Sequence, residues 1–105
     1  MPNEDKKYRV IIQDPATEML LQHTRFLAQV SETAALRLTE EFVKQTKALE
    51  TMPERCPWLF DPLIPEYKYR KLVFQKHYML LYQIIGDAVF VDAMIDCRQQ
   101  YSWLL

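Results

Sequence analysis

The spacing of apolar positions changes period several times along the chain, and each change predicts an element. YRVIIQ, Tyr8 to Gln13, is a short β-branched run and reads as a first strand. Asp14 followed by Pro15 is a helix start, because a capping side chain precedes a residue that lacks the N–H left unpaired in a first turn. From there Ala16, Met19, Leu20, His23, Phe26, Leu27 and Val30 recur every three or four residues, one apolar stripe with an imidazole in its middle. Ser31 is placed to cap a second helix running to about Thr51, with Ala35, Leu38, Phe42 and Leu49 on its apolar face and glutamates and lysines opposite. So short a link between the helices predicts an antiparallel hairpin.

The period then breaks. TMPERCPWLFDPLIPEY carries Pro53, Pro57, Pro62 and Pro65 and cannot continue a helix; it predicts a stiff connector with Trp58, Leu59 and Phe60 against the core. Three alternating segments follow: YRKLVFQ to Gln75, YMLLYQII from Tyr78, and AVFVDAMID from Ala88. Lys76-His77 and Gly86-Asp87 separate them, which predicts a β-meander. The middle segment is apolar on both faces, so it belongs at the centre of a sheet. The last puts Val89, Val91, Ala93 and Ile95 on one face and Phe90, Asp92, Met94 and Asp96 on the other, which is therefore partly wet. The predicted order is β-α-α-β-β-β, an α+β fold with a helical hairpin on one face of a small, mainly antiparallel four-stranded sheet.

Composition narrows this picture without changing it. A chain of 105 residues, half of them hydrophobic and with a single glycine, is expected to form one globular domain over residues 1–105. No stretch of about twenty apolar residues and no signal-peptide pattern occurs, so a soluble cytoplasmic protein away from the membrane is expected. Cys56 and Cys97 are too few and too isolated for a disulfide framework and read as free thiols. The net charge of −1 argues against bulk electrostatic binding of nucleic acid. Locally, however, Lys68, Arg70, Lys71, Lys76 and His77 crowd one segment. The bland reading of that strip is an edge strand guarded by charge; the chemical one is a rearranged site around Lys71, Lys76 and His77. Likewise His23 reads first as a packed or rim histidine. Asp92 and Asp96, taken to share a face, lack a third ligand, so neither a metal nor a cofactor is expected. The tail YSWLL would expose Trp103, Leu104 and Leu105 unless the sheet or a partner covers them.

The ordered set of a strand, a helical hairpin, LETMPERCP and then YKYRKLVFQKHYMLLYQIIGDAVFVDAMIDCRQ resembles the RelE/ParE superfamily of toxins from bacterial toxin–antitoxin modules, over nearly the whole chain from Tyr8 to about Tyr101. The resemblance implies a small toxin neutralised by a cognate antitoxin. It also implies one of two actions: cleavage of mRNA on the ribosome, as in RelE-like members, or inhibition of DNA gyrase by binding, as in ParE-like members. RNA cleavage through the 2′-hydroxyl needs a base, an acid and cationic donors for the phosphorane. Carried over by position, Arg70, Arg98 and Tyr101 are the residues that would serve, and Lys71 joins them in a diverged site. Two cationic positions of RNA-cutting members are instead Leu72 and Met79, and neither can donate to a phosphate. The expectation is therefore a ParE-like toxin, with the diverged endoribonuclease as first alternative and a non-toxic interaction domain of the same fold as second.

Overall fold

The computed structural model describes residues 6–98. Strand β1 (Arg9–Ile12) leads into helices α1 (Asp14–Ala28) and α2 (Glu32–Ala48), and after a connector with one 3-10 turn (Pro53–Arg55) come β2 (Arg70–Phe74), β3 (Tyr78–Ile85) and β4 (Ala88–Asp96). The strands form one sheet in the order β1-β4-β3-β2, with β1 parallel to β4 and the other two pairs antiparallel. The α+β arrangement expected from the sequence is thus present, as a mixed sheet.

Helix α1 opens one residue earlier than its sequence signal. The N–H of Gln13 still donates to Val91 O (2.9 Å) as the last rung of the β1 ladder, while the carbonyl of Gln13 already accepts from Ala16 (3.0 Å) and Thr17 (3.2 Å). Gln13 is therefore the cap, and Asp14 sits in the first turn, where its charge complements the helix dipole. At α2 the expected cap holds: the N–H of Ala34 donates to Ser31 Oγ at 3.1 Å. That helix ends at Ala48 rather than near Thr51. The α2 stripe packs as the period requires, with Leu38, Phe42 and Leu49 buried, whereas Phe26 near the end of α1 and Val30 just past it are exposed.

The sheet is covered on both faces. Helix residues Ala16, Leu20, Leu38 and Phe42 pack on Leu72, Phe74, Tyr78, Leu80, Tyr82, Val89, Val91 and Met94. On the opposite face Leu59 and Ile64 of the connector pack on Met79, Leu81, Ala93 and Ile95. This second layer explains why both faces of β3 are apolar. Of the three connector residues expected in the core, Leu59 is buried, Trp58 is half-buried, and Phe60 is exposed.

The strict alternation read for β4 does not hold. Leu81 pairs with Ala93 but Tyr82 pairs with Val91, so Asp92 is an extra residue in β4, a β-bulge. Val89 and Val91 face the helices, and beyond the bulge that role passes to Met94, while Ala93 and Ile95 turn to the connector. Asp92 and Asp96 accordingly lie on opposite faces of the sheet. Asp92 accepts from Gln83 Nε2 at 2.6 Å, and the N–H of Met94 just past the bulge is taken up by the Met19 thioether at 3.4 Å.

Candidate functional site

At the end of the sheet where β3 begins and β4 finishes, register places Tyr78 opposite Asp96. The bulge points Asp96 toward α1, and there Gln22, His23, Phe26, Leu27, Tyr78, Asp96 and Arg98 line a cleft of about 300 Å³. Its floor is ionic. Asp96 is 5 % exposed and accepts from Arg98 through both carboxylate oxygens, Nε to Oδ1 at 2.9 Å and Nη2 to Oδ2 at 2.7 Å, with the Arg98 backbone N–H also on Oδ1 at 2.9 Å. The bidentate guanidinium holds the Asp96 carboxyl at about 2, against the opposing effect of its burial. Burial and the nearby Asp96 carboxylate push the Tyr78 phenol up. His23 meets the Tyr78 ring edge-on, with centroids 5.7 Å apart, and is a rim histidine in this cleft.

Arg70 lies at the other end of β2, opposite Tyr82. Tyr82 lies four positions along β3 from Tyr78, which puts Arg70 about 13 Å along the sheet from the Asp96 rung. Its guanidinium donates to the carbonyls of Glu54 (3.1 Å) and Cys56 (2.7 Å) and stacks over Trp58 at 3.9 Å. Together with the Tyr82 hydroxyl, which donates to Pro53 O at 2.5 Å, it ties the proline-rich connector to the sheet. Lys71 projects from the face opposite Arg70 by strand alternation, and its backbone N–H donates to Pro57 O at 2.9 Å. Tyr101 lies outside the described residues. Arg70, Lys71 and Arg98 are therefore not gathered around one point, and Leu72 and Met79 are buried side chains of the two cores.

Lys76 and His77 do not form the two-residue turn expected: the β2–β3 loop is Gln75 to His77, with Gln75 and Lys76 both left-handed (φ 47° and 69°). His77 tilts against the Tyr78 ring at 4.5 Å. Among the described residues no group of three or more His, Cys, Asp or Glu side chains is placed to hold a metal, and Cys56 and Cys97 are free. Sequence reasoning missed the Asp96–Arg98 clasp, although Asp-Cys-Arg at a strand end carried the hint of a carboxylate two residues from a guanidinium. The Arg70–Trp58 stack has no sequence signature, since only folding brings the connector to β2.

Two helices on one face of a four-stranded sheet with a parallel β1–β4 pair make a fold that is also found among solved structures. The chain matches one in the "Chromosomal ParDE TA system from P. aeruginosa" with a TM-score of 0.69 at 12 % identity, over 87 % of this chain and 97 % of that one. The sequence pattern of the ParE toxin of the type II toxin–antitoxin system parDE matches residues 10–101, and the chain belongs to that family. A search among curated proteins gives no match.

Proposed function

We propose that this chain, as a single domain over residues 1–105, is the ParE-like toxin of a type II toxin–antitoxin module. In this reading it inhibits a cytoplasmic bacterial target such as DNA gyrase by binding rather than by hydrolysis, and a cognate antitoxin neutralises it. One observation carries the non-hydrolytic part: the cations that phosphoryl transfer would need are engaged elsewhere or replaced. Arg70 is committed to connector carbonyls, Arg98 to Asp96, and the two remaining family positions are the buried Leu72 and Met79. Arg70 keeps its charge among neutral carbonyls about 13 Å along the sheet from the Asp96 rung, and Lys71 projects from the other face, so the set is dispersed, which argues against positive charge concentrated on one phosphorane.

Controlled expression tests the proposal. Growth arrest with a DNA-damage response, together with inhibition of supercoiling by purified gyrase, is the expected result, and co-expression of the neighbouring small gene should restore growth. Message cleavage in a translation extract that Arg98→Ala abolishes would replace this reading with the RelE-like one. Expression that leaves growth untouched would replace it with the non-toxic interaction domain.

A further inference from the structure

The cleft between α1 and the Tyr78–Asp96 rung has an apolar lip over a polar floor. Phe26 is 66 % exposed, Leu27 is half-buried beside it, and below them stand Gln22, Tyr78 and the Asp96–Arg98 clasp. An exposed aromatic at the end of a helix stripe means little by itself. Here, however, the floor of the cleft includes Arg98, the last of the described residues. Its backbone N–H donates to Asp96 Oδ1 at 2.9 Å, and the Asp96 side chain points toward α1, so the clasp turns the main chain off the end of β4 onto the helix side.

Residues 99–105, Gln-Gln-Tyr-Ser-Trp-Leu-Leu, lie outside the described residues and continue from this point. Trp103 follows Arg98 by five residues, a reach of at most about 17 Å in extended chain. The ParE pattern ends at residue 101, so Trp103, Leu104 and Leu105 are outside what the family match covers. We propose that Trp103 seats in the cleft with its ring against Phe26 and Leu27, an intramolecular plug between α1 and the end of the sheet.

An indole suits this mixed lining, because its ring is apolar and its one N–H needs an acceptor when buried. The Gln22 amide oxygen can accept it, and so can Asp96, whose carboxylate has room for about four donors and takes three from Arg98. A cleft of about 300 Å³ is at the lower limit for a ligand pocket, the scale of one large side chain rather than of a partner helix. The covalent link also favours this occupant over the tail of a second copy. Residues 99–102 hold the ring at an effective concentration on the order of millimolar, so a free copy at micromolar concentration competes at about a thousandfold disadvantage. The exposed apolar group Phe60, Leu63 and Tyr67 is carried by the connector on the opposite face of the sheet, away from the side onto which Arg98 turns.

The test uses the full-length chain with Trp58→Phe, which leaves Trp103 as its single tryptophan. The expected result is a blue-shifted emission shielded from acrylamide, unchanged on dilution and moved to the red by Phe26→Gln. In the otherwise unchanged chain, Trp103→Ser should lower the melting temperature by about 5 °C. Adding Phe26→Gln to it should cost nothing further, since the two changes remove one contact. Red, freely quenched emission from Trp103 overturns the proposal, as does an additive loss in the double variant or shielding that Phe26→Gln leaves untouched. Shielding that disappears on dilution together with a dimer gives the cleft to a second copy's tail and overturns it too. If Trp58→Phe fails to fold, the indole N–H resonance that Trp103→Phe removes from the spectrum of the otherwise unchanged chain decides. It should shift with Phe26→Gln, and an unmoved resonance counts against the plug. None of these readouts depends on toxicity, so the plug and the reading of the chain as a toxin fail separately.

Discussion

Asp96 is nearly buried and lives with its charge because Arg98 grips both oxygens. Its folded pKa of about 2 lies below the value near 3.9 of an unfolded aspartate. The clasp therefore contributes stability that is complete above about pH 4 and is lost as pH falls toward 2. For Asp96 the difference corresponds to about 2 kcal/mol. Asp96→Asn should lower stability by that order at pH 7 and flatten the dependence between pH 4 and 2, as urea melts across that range would read. Lys76 shows the opposite situation, a lysine in a left-handed turn position with nothing in the structure requiring a side chain there. Lys76→Gly should raise the unfolding free energy by about 1 kcal/mol, and a lower melting temperature would contradict the assigned turn. At this scale the sequence was least legible. Asp96 looked like one member of a wet-face pair with Asp92, because nothing in the letters Val-Asp-Ala-Met marks a bulge.

Elements were far more legible, since each rests on a local period. The two helices, the Ser31 cap, the proline connector and the three strands all followed from spacing, and apart from the bulge in the middle of β4 the errors sit at their ends. Phe26 and Val30 continue the α1 stripe on paper, but the helix ends at Ala28 before Val30, and Phe26 stands exposed at the rim of the cleft. The connector is the element whose role sequence concealed most. It is attached by a backbone bridge between Trp58 and Arg70, with Leu59 N–H on Tyr69 O at 2.8 Å and Lys71 N–H on Pro57 O at 2.9 Å, and Arg70 reinforces that bridge through two carbonyl contacts and its stack on Trp58. Arg70→Ala should destabilise the fold by about 2 kcal/mol. Arg70→Lys should recover only part of this, because an ammonium cannot present the same planar fork. Thermal melts of both variants check this, and equal stability of Arg70→Ala and wild type would show that the connector holds without the arginine. Any loss of toxicity at Arg70 therefore has to be read against its melting temperature before it is assigned to chemistry.

At the scale of the whole molecule, the family was legible because the order of elements and the strand patterns together are specific, and residues 10–101 carry them. The sheet order was not, because alternation identifies a strand without naming its neighbours, and β1 joins β4 from the far end of the chain. Nor could the candidate site be located, since cations close in sequence on β2 diverge to opposite faces. The single unpaired residue in β4 governs more of this geometry than its size implies. It acts as a phase shift: upstream of Asp92 one parity of residue numbers faces the helices, and downstream the other does. Deleting Asp92 would join Val91 directly to Ala93 opposite the adjacent Tyr82 and Leu81, so Met94 and Asp96 would still face the helices and Ala93 and Ile95 the connector. One alanine inserted between Ala93 and Met94 would do the reverse, carrying the clasp to the wrong side and driving a charge into the second core. Such an insertion should prevent folding, whereas deletion of Asp92, or Asp92→Ala, should leave a cooperative melt. In this chain the count of residues from Ala93 to Asp96 is itself information, independent of which side chains fill it.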